Sequence, residues 1–226
     1  MGKVNEIIKL HLNFIETVKC NESIMRQLHQ NGITILDGFG QNISLVKEYY
    51  ETWYSSDVKR PITLCGINPG KDGAGLTGIP FMDYKNLARL LEGVDGGMYK
   101  PEPSSEFLYS VIEEIGVGEF FKQVYLTNFS WFGFKRKNGN LNYFDLPSTE
   151  LKWLFTRSFI TEMEIMQTKI IIPLSREVGT NLRKLKREGF LKAKIMPRLN
   201  HPSYCNYKNR RDEELVKYVT RIRNQI

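Results

Sequence analysis

The side chains best placed to do chemistry are an asparagine in a glycine-rich loop, an asparagine ending an apolar run, and a histidine ahead of a proline. They occur as Gly66-Ile67-Asn68-Pro69-Gly70, as Asn128 within Thr127-Asn128-Phe129-Ser130, and as His201-Pro202-Ser203. Amides and an imidazole orient and donate hydrogen bonds, but an amide is no strong base. No clustered carboxylates or metal ligands accompany them, as phosphate-ester hydrolysis would require. The first loop runs on through Thr77-Gly78-Ile79-Pro80-Phe81, so residues 66–81 hold five glycines and two prolines. Glycines let backbone approach a ligand closely, and prolines fix its path. The absence of GxxxxGK[ST] excludes a P-loop, and no GxGxxG opens a helix to support a dinucleotide site. Taken singly, each motif also has a plainer reading: a capped connection, a turn histidine, a strand-end cap.

Four apolar runs read as strands: Ile62–Gly66, Val124–Asn128, Lys169–Leu174 and Lys194–Leu199. None alternates, which suits strands buried on both faces of a parallel sheet. Helical patterns separate them at Tyr84–Leu91, Glu106–Ile115, Thr149–Gln167 and Arg176–Glu188, with a last helix from about Asp212 to Arg223. Ahead of the strands, Val4, Ile7, Ile8, Ile15 and Val18 share a helical face, Asn31-Gly32 offers a stop, and Ile43–Trp53 reads as a second helix. The expected fold is α/β, a three-layer αβα sandwich around a four-stranded, mostly parallel sheet. Residues 1–226 are expected to form one domain, with an N-terminal helical extension over about 1–58. Ligands of open α/β sheets sit beyond the carboxyl ends of the strands. Three of the four strands run into the polar motifs there, which therefore face one cleft. Phe134-Lys135-Arg136-Lys137-Asn138-Gly139-Asn140 reads as a basic, solvated hairpin turning at Asn-Gly.

At 226 residues, with 41% hydrophobic and 25% charged side chains, the chain is an ordinary globular protein rather than a fibrous or disordered one. Thirty-two Lys+Arg against 25 Asp+Glu give a net charge of +7, compatible with a polyanionic partner. Cys20, Cys65 and Cys205 are odd in number and far apart, which points to a reducing cytoplasm and supplies no iron–sulfur ligand set. No CxxC or HExxH spacing marks zinc, so neither metal nor cofactor is expected. No apolar run approaches the roughly 18 residues of a membrane span. The opening Met1-Gly2-Lys3-Val4-Asn5-Glu6 lacks a signal-peptide core, and Glu6 departs from a myristoylation pattern. A cytoplasmic monomer with no membrane contact is expected.

Together, GINPG, then TGIPF at its own spacing, then Asn128, then His-Pro-Ser resemble the uracil-DNA glycosylase superfamily over roughly Ile62 to Arg211. Within it they are most similar to the single-strand-selective monofunctional branch, family 3, and the Gly73-Ala74-Gly75 and Ile79–Asp83 stretches resemble its bacterial second subfamily. The resemblance implies a hydrolytic DNA glycosylase that flips a damaged base out of single- or double-stranded DNA and cuts its N-glycosidic bond. It implies Asn68 as the group that positions the attacking water and His201 as the donor to uracil O2. Gly66, Ile67, Gly70, Phe81 and Asn128 would form the base site, with Phe81 stacking and Asn128 reading the pyrimidine edge. Gly70 stands where the strictly uracil-specific family carries an aromatic ring, so 5-substituted uracils and xanthine enter as further substrates. Ser203, Tyr204, Tyr207, Lys208, Arg210 and Arg211 would meet the DNA, with a tyrosine stacking into the gap and the cations on phosphates. Cys205 departs from the branch, which has a wedge arginine there. Asparagine rather than aspartate at position 68 implies slower turnover, and no motif places a lysine for a lyase step. Lys71 is read as a phosphate or surface contact. A catalytically silent α/β module that binds DNA or a nucleotide is the alternative.

Overall fold

The runs Ile62–Gly66 and Val124–Asn128 are buried at every position, Thr63, Thr127 and Asn128 included, as suits strands covered on both faces. The computed structural model describes residues 2–54, 60–97 and 99–226; the expected limit of the N-terminal extension near residue 58 lies outside the described residues. In chain order, α1 (Lys3–Cys20), α2 (Glu22–Gln30), β1 (Ile33–Leu36), α3 (Gly38–Gln41) and α4 (Ile43–Tyr54) precede β2 (Ile62–Gly66). Next come α5 (Ala74–Thr77), α6 (Tyr84–Leu87), α7 (Pro103–Ile115), α8 (Val117–Gln123), β3 (Val124–Asn128), β4 (Gly133–Arg136) and β5 (Gly139–Leu141). The chain closes with α9 (Thr149–Met166), β6 (Ile170–Pro173), α10 (Arg176–Arg187), β7 (Lys194–Ile195), α11 (Pro202–Cys205) and α12 (Arg211–Arg223).

The central sheet has the order β3-β2-β6-β7, and each of its pairings is parallel. Helices flank it, giving the expected α/β sandwich. Local capping sets where several helices start: Asn21, Asp83, Ser148 and Ser175 each accept from a backbone N–H in the first turn of the helix that follows. Two boundaries differ from expectation. β7 stops at Ile195 rather than Leu199, because the ladder slips after Met196: the bond to Pro173 O comes from Leu199 N–H, one residue later than a regular parallel register requires. Met196 N–H and Leu199 N–H still bond Ile171 O and Pro173 O, both at 2.9 Å, so the chain follows β6 to the site. The helical run from Tyr84 ends at Leu87, with looser turns carrying it to Leu91.

A second sheet, antiparallel in the order β1-β4-β5, was not expected from the sequence. The basic hairpin is solvated at its tip, where residues 136–140 are exposed, but anchored at its base: Phe134 is fully buried and β1 covers one edge. Its two-residue turn is Lys137-Asn138, one position earlier than Asn-Gly, with Lys137 at a left-handed φ of 54°. The N-terminal helices are bound to the same region by aromatic packing. His11 on α1 stacks on Trp131 at 3.7 Å, and Phe14 packs edge-on to Phe155 at 5.0 Å. Such pairs contribute about 0.5–1.5 kcal/mol each beyond the area they bury. Among the described residues no helix is long and apolar enough to cross a membrane.

Candidate active site

Beyond the carboxyl ends of β2 and β3 lies a cavity of about 360 Å³. Its walls include Ile67, Asn68, Gly70, Phe81, Asn128, His201 and Ser203, so residues from four separated stretches of sequence meet in one place. Gly66 sits beneath them. A Cβ there would overlap both the Asn128 amide oxygen and the Phe81 ring, so glycine is what lets those two side chains converge. Phe81 adopts a left-handed φ of 61°, unusual for an aromatic residue, at the edge of the cavity. Gly70 is the opposite case. A Cβ there would meet only Asn140 Nδ2, at an ordinary 3.5 Å, so space remains beside it.

Asn68 is held from three sides. Its Oδ1 accepts from Tyr143 N–H at 2.8 Å, and its Nδ2 donates to Pro69 O at 3.1 Å and Leu141 O at 3.3 Å. Asn140 adds a further tie by accepting from Lys71 N–H at 2.8 Å. Asn128 is only 3% exposed, yet among the described residues its side-chain amide has no protein partner. Its hydrogen-bonding capacity is open only toward the cavity.

His201 follows the β7 extension and caps α11, with Pro202 at the first helical position. Ser203 N–H, which can only donate, lies 3.3 Å from His201 Nδ1, and Ser203 Oγ lies 2.8 Å from it. Nδ1 therefore accepts, and Nε2 carries the proton of the neutral ring. Burial pushes the imidazole pKa below its ordinary value, with Glu177 opposing, so the neutral form prevails at physiological pH. The preceding turn is tied to α12: Asn200 Nδ2 donates to Glu214 Oε1 at 3.0 Å, and Tyr218 OH donates to Asn200 O.

The expected DNA-facing residues divide. Tyr204 and Tyr207 are 43% and 63% exposed and line a neighbouring hollow with Ser203 and Pro103. Lys208 is exposed, and the Arg210 guanidinium lies over the Tyr204 ring at 4.1 Å. Ser203 is committed to His201. Arg211 is tied within the protein, its guanidinium donating to Asn206 Oδ1 at 3.1 Å and to Ser110 Oγ. Cys205 is wholly buried, with its thiol pushed up to about 12 by burial and by Glu214. A buried thiol cannot serve as an intercalating wedge.

Sequence reasoning missed the far wall: Glu102, Ser104, Asn140, Leu141 and Asn142. Glu102 caps α7, accepting from Ser105 N–H at 3.0 Å and Ser104 Oγ at 2.6 Å, a capping pattern legible as Glu-Pro-Ser-Ser. Among the described residues no cluster of three or more His, Cys, Asp or Glu could hold a metal ion.

The model of the uracil DNA glycosylase superfamily matches residues 53–223. Among solved structures, wild-type Pedobacter heparinus SMUG2 is similar, with a TM-score of 0.74 and 28% identity over 86% of this chain and 88% of that one. Comparison with curated proteins gives no match.

Proposed function

This chain belongs to the uracil DNA glycosylase superfamily, and we propose that its cleft hydrolyses the N-glycosidic bond of uracil flipped out of DNA, leaving free uracil and an abasic site. The cavity volume lies within the range of small-ligand pockets, about 300–1,000 Å³. In the proposed step the N1–C1′ bond breaks and its electron pair passes to the pyrimidine, with charge developing on O2. His201 Nε2–H donates to that oxygen. Water adds to the electron-poor C1′ and loses its proton to the departing uracil anion or to solvent. An electrophile of this kind needs an oriented nucleophile more than a deprotonated one, a task for the second lone pair of the clamped Asn68 Oδ1.

Phe81 would stack on the base. The Asn128 amide would match the N3–H donor and O4 acceptor of uracil and mismatch cytosine. The open space at Gly70 admits 5-substituted uracils and, as a looser fit, xanthine. Among the described residues no lysine lines the cavity, and Lys71 is paired with Asp72 at 2.8 Å, which favours hydrolysis over a Schiff base and strand cleavage. Tyr204 or Tyr207 would fill the gap left by the flipped nucleotide, with Lys208 and Arg210 on phosphates. The proposed working form is a monomer. Three free cysteines, two of them buried, fit a reducing cytoplasm.

The observation that carries this reading is the unpartnered, buried Asn128 amide facing a space shared by Asn68 and His201. The test is a panel of single- and double-stranded oligonucleotides bearing uracil, 5-hydroxymethyluracil, thymine, xanthine or cytosine, with alkali-labile sites scored on gels. Alkali-labile sites at uracil, with intact strands before alkali, are expected. Tight binding with no abasic product would instead identify a silent binding module.

A further inference from the structure

The family match begins at residue 53, and the segment before it has no part in the proposed reaction. Three contacts nonetheless bring it against the loop that carries Asn68. Leu36, the last residue of β1, has its Cδ1 2.7 Å from where a Cβ on Gly75 would lie and 2.9 Å from where one on Gly133 would lie. Its side chain is thus wedged between the glycine-rich loop and the start of β4. A Cβ on Gly38 would overlap the Leu76 carbonyl oxygen, so α3 lies backbone to backbone with the same loop. Asn42 Nδ2 then donates to Leu76 O at 2.7 Å. On the other side, β4 leans directly on the loop: a Cβ on Gly133 would overlap the Pro69 carbonyl oxygen. The same β4 is paired along its length with β1, from Ile33↔Arg136 to Leu36↔Gly133.

We infer that residues 33–42 and the β4–β5 hairpin form a brace that sets the position of the Asn68 amide, with Leu36 and Asn42 as positioning residues that never touch substrate. The path is short. Leu36 fixes the spacing of the loop and β4, β4 carries β5, and the chain leaving β5 supplies Leu141 O and Tyr143 N–H to Asn68. A fixed water-orienting group is worth most when it is held to well under an ångström, and displacement by about 1 Å costs on the order of 10²-fold in rate. The inference rests on the reading of Asn68 as the water-orienting residue.

The experiment compares wild type, Leu36→Ala and Leu36→Met in the full-length chain. It measures single-turnover uracil release at saturating enzyme, equilibrium binding to the uracil oligonucleotide, and the Asn68 side-chain amide signals in ¹⁵N-resolved NMR, assigned by their loss in Asn68→Ala. Leu36→Ala is expected to release uracil about 10²-fold more slowly, to bind DNA within about threefold of wild type, and to shift the Asn68 amide signals. Leu36→Met, which keeps the volume, restores all three. A cooperatively folded Leu36→Ala with wild-type rate and unmoved Asn68 signals overturns the brace. Should Leu36→Ala fail to fold, Asn42→Ala removes the bonds donated to Leu76 O and Gly38 O and the one accepted from Tyr84 OH; a loss of about tenfold in rate is expected, and an unchanged rate with unmoved signals is the overturning result. If wild type releases no uracil while the Asn68 signals still move in Leu36→Ala, the brace stands and the reaction assigned to the cleft falls.

Discussion

Asn68 and Asn128 come from neighbouring parallel strands, since Gly66, two residues before the first, is the register partner of the second. Their side chains are treated in opposite ways. The Asn68 amide is clamped by three backbone partners that leave one Oδ1 lone pair open, whereas the Asn128 amide has none among the described residues although the residue is almost fully buried. The Asn128 amide lines the cavity, so its donors and acceptor are kept for whatever edge a ligand supplies there. A group that orients water gains from being immobile before substrate arrives. A group that recognises a base gains from being unsatisfied until the right base fills the pocket.

The largest effects are expected where the transition state is touched. Asn68→Ala and His201→Ala should each lower the rate of uracil release by about 10²–10³-fold, with oligonucleotide binding within a few-fold of wild type. Retention of full activity in both would end the assignment of roles. Asn128→Ala should act differently, weakening productive binding by about 10–10²-fold and narrowing the preference for uracil over cytosine, because the lost bonds form with the bound base. If Asn128→Ala lowers only the maximal rate and leaves discrimination intact, the contrast between the two asparagines is wrong. Gly66→Ala should reproduce the Asn128→Ala phenotype, since its methyl would displace both that amide and Phe81.

Much of this arrangement was legible in the sequence, and the part that was not has a physical reason. Ile62–Gly66 and Val124–Asn128 were recoverable residue for residue because each is a short run rich in apolar, β-branched and aromatic residues, without polar alternation, that ends in turn-forming residues. The loop motifs could be placed in one cleft because parallel strands send their ends to the same side. The three-stranded sheet left no such trace: its strands have three or four residues, and β5 reads Gly-Asn-Leu. Nor could the clamp on Asn68 be read, because two of its partners are the carbonyl of Leu141 and the N–H of Tyr143. Every residue has those groups, so only the folded path reveals them. The ties of Arg211 were hidden for a related reason: a cation near a DNA-facing motif gives no sign of its partners until Asn206 and Ser110 are found beside it.

The pH dependence sharpens the comparison on the His201 side. Burial lowers its pKa, so the folded protein holds fewer protons on this ring than the unfolded chain does below about pH 6.5. Its contribution to stability is therefore present above that value and lost as pH falls through the lowered pKa. Wholly buried His11 follows the same sign, with burial lowering its pKa and Glu162 opposing. Protonated His201 also cannot accept from Ser203 N–H, so the cap of α11 would be broken. The maximal rate and the melting temperature should both decline on acidification below about pH 6.5; a rate that rises toward pH 5 would mean that the imidazolium is the working form.

The smallest expected effects separate the two arginines that follow the cleft. The Arg210 guanidinium rests on the exposed Tyr204 ring and has no hydrogen-bond partner among the described residues, while the Arg211 guanidinium is held by Asn206 and Ser110. A residue that neutralises a phosphate releases a counterion when DNA binds, so its removal lowers the slope of log affinity against log salt by about one. Arg210→Ala should show that lowered slope with little change in melting temperature. Arg211→Ala should leave the slope intact and lower the melting temperature, because it leaves α7 and the 202–206 turn without their shared tie. Equal slopes for the two variants would mean that Arg211 leaves its partners on binding, and the distinction drawn from the free protein would not hold in the complex.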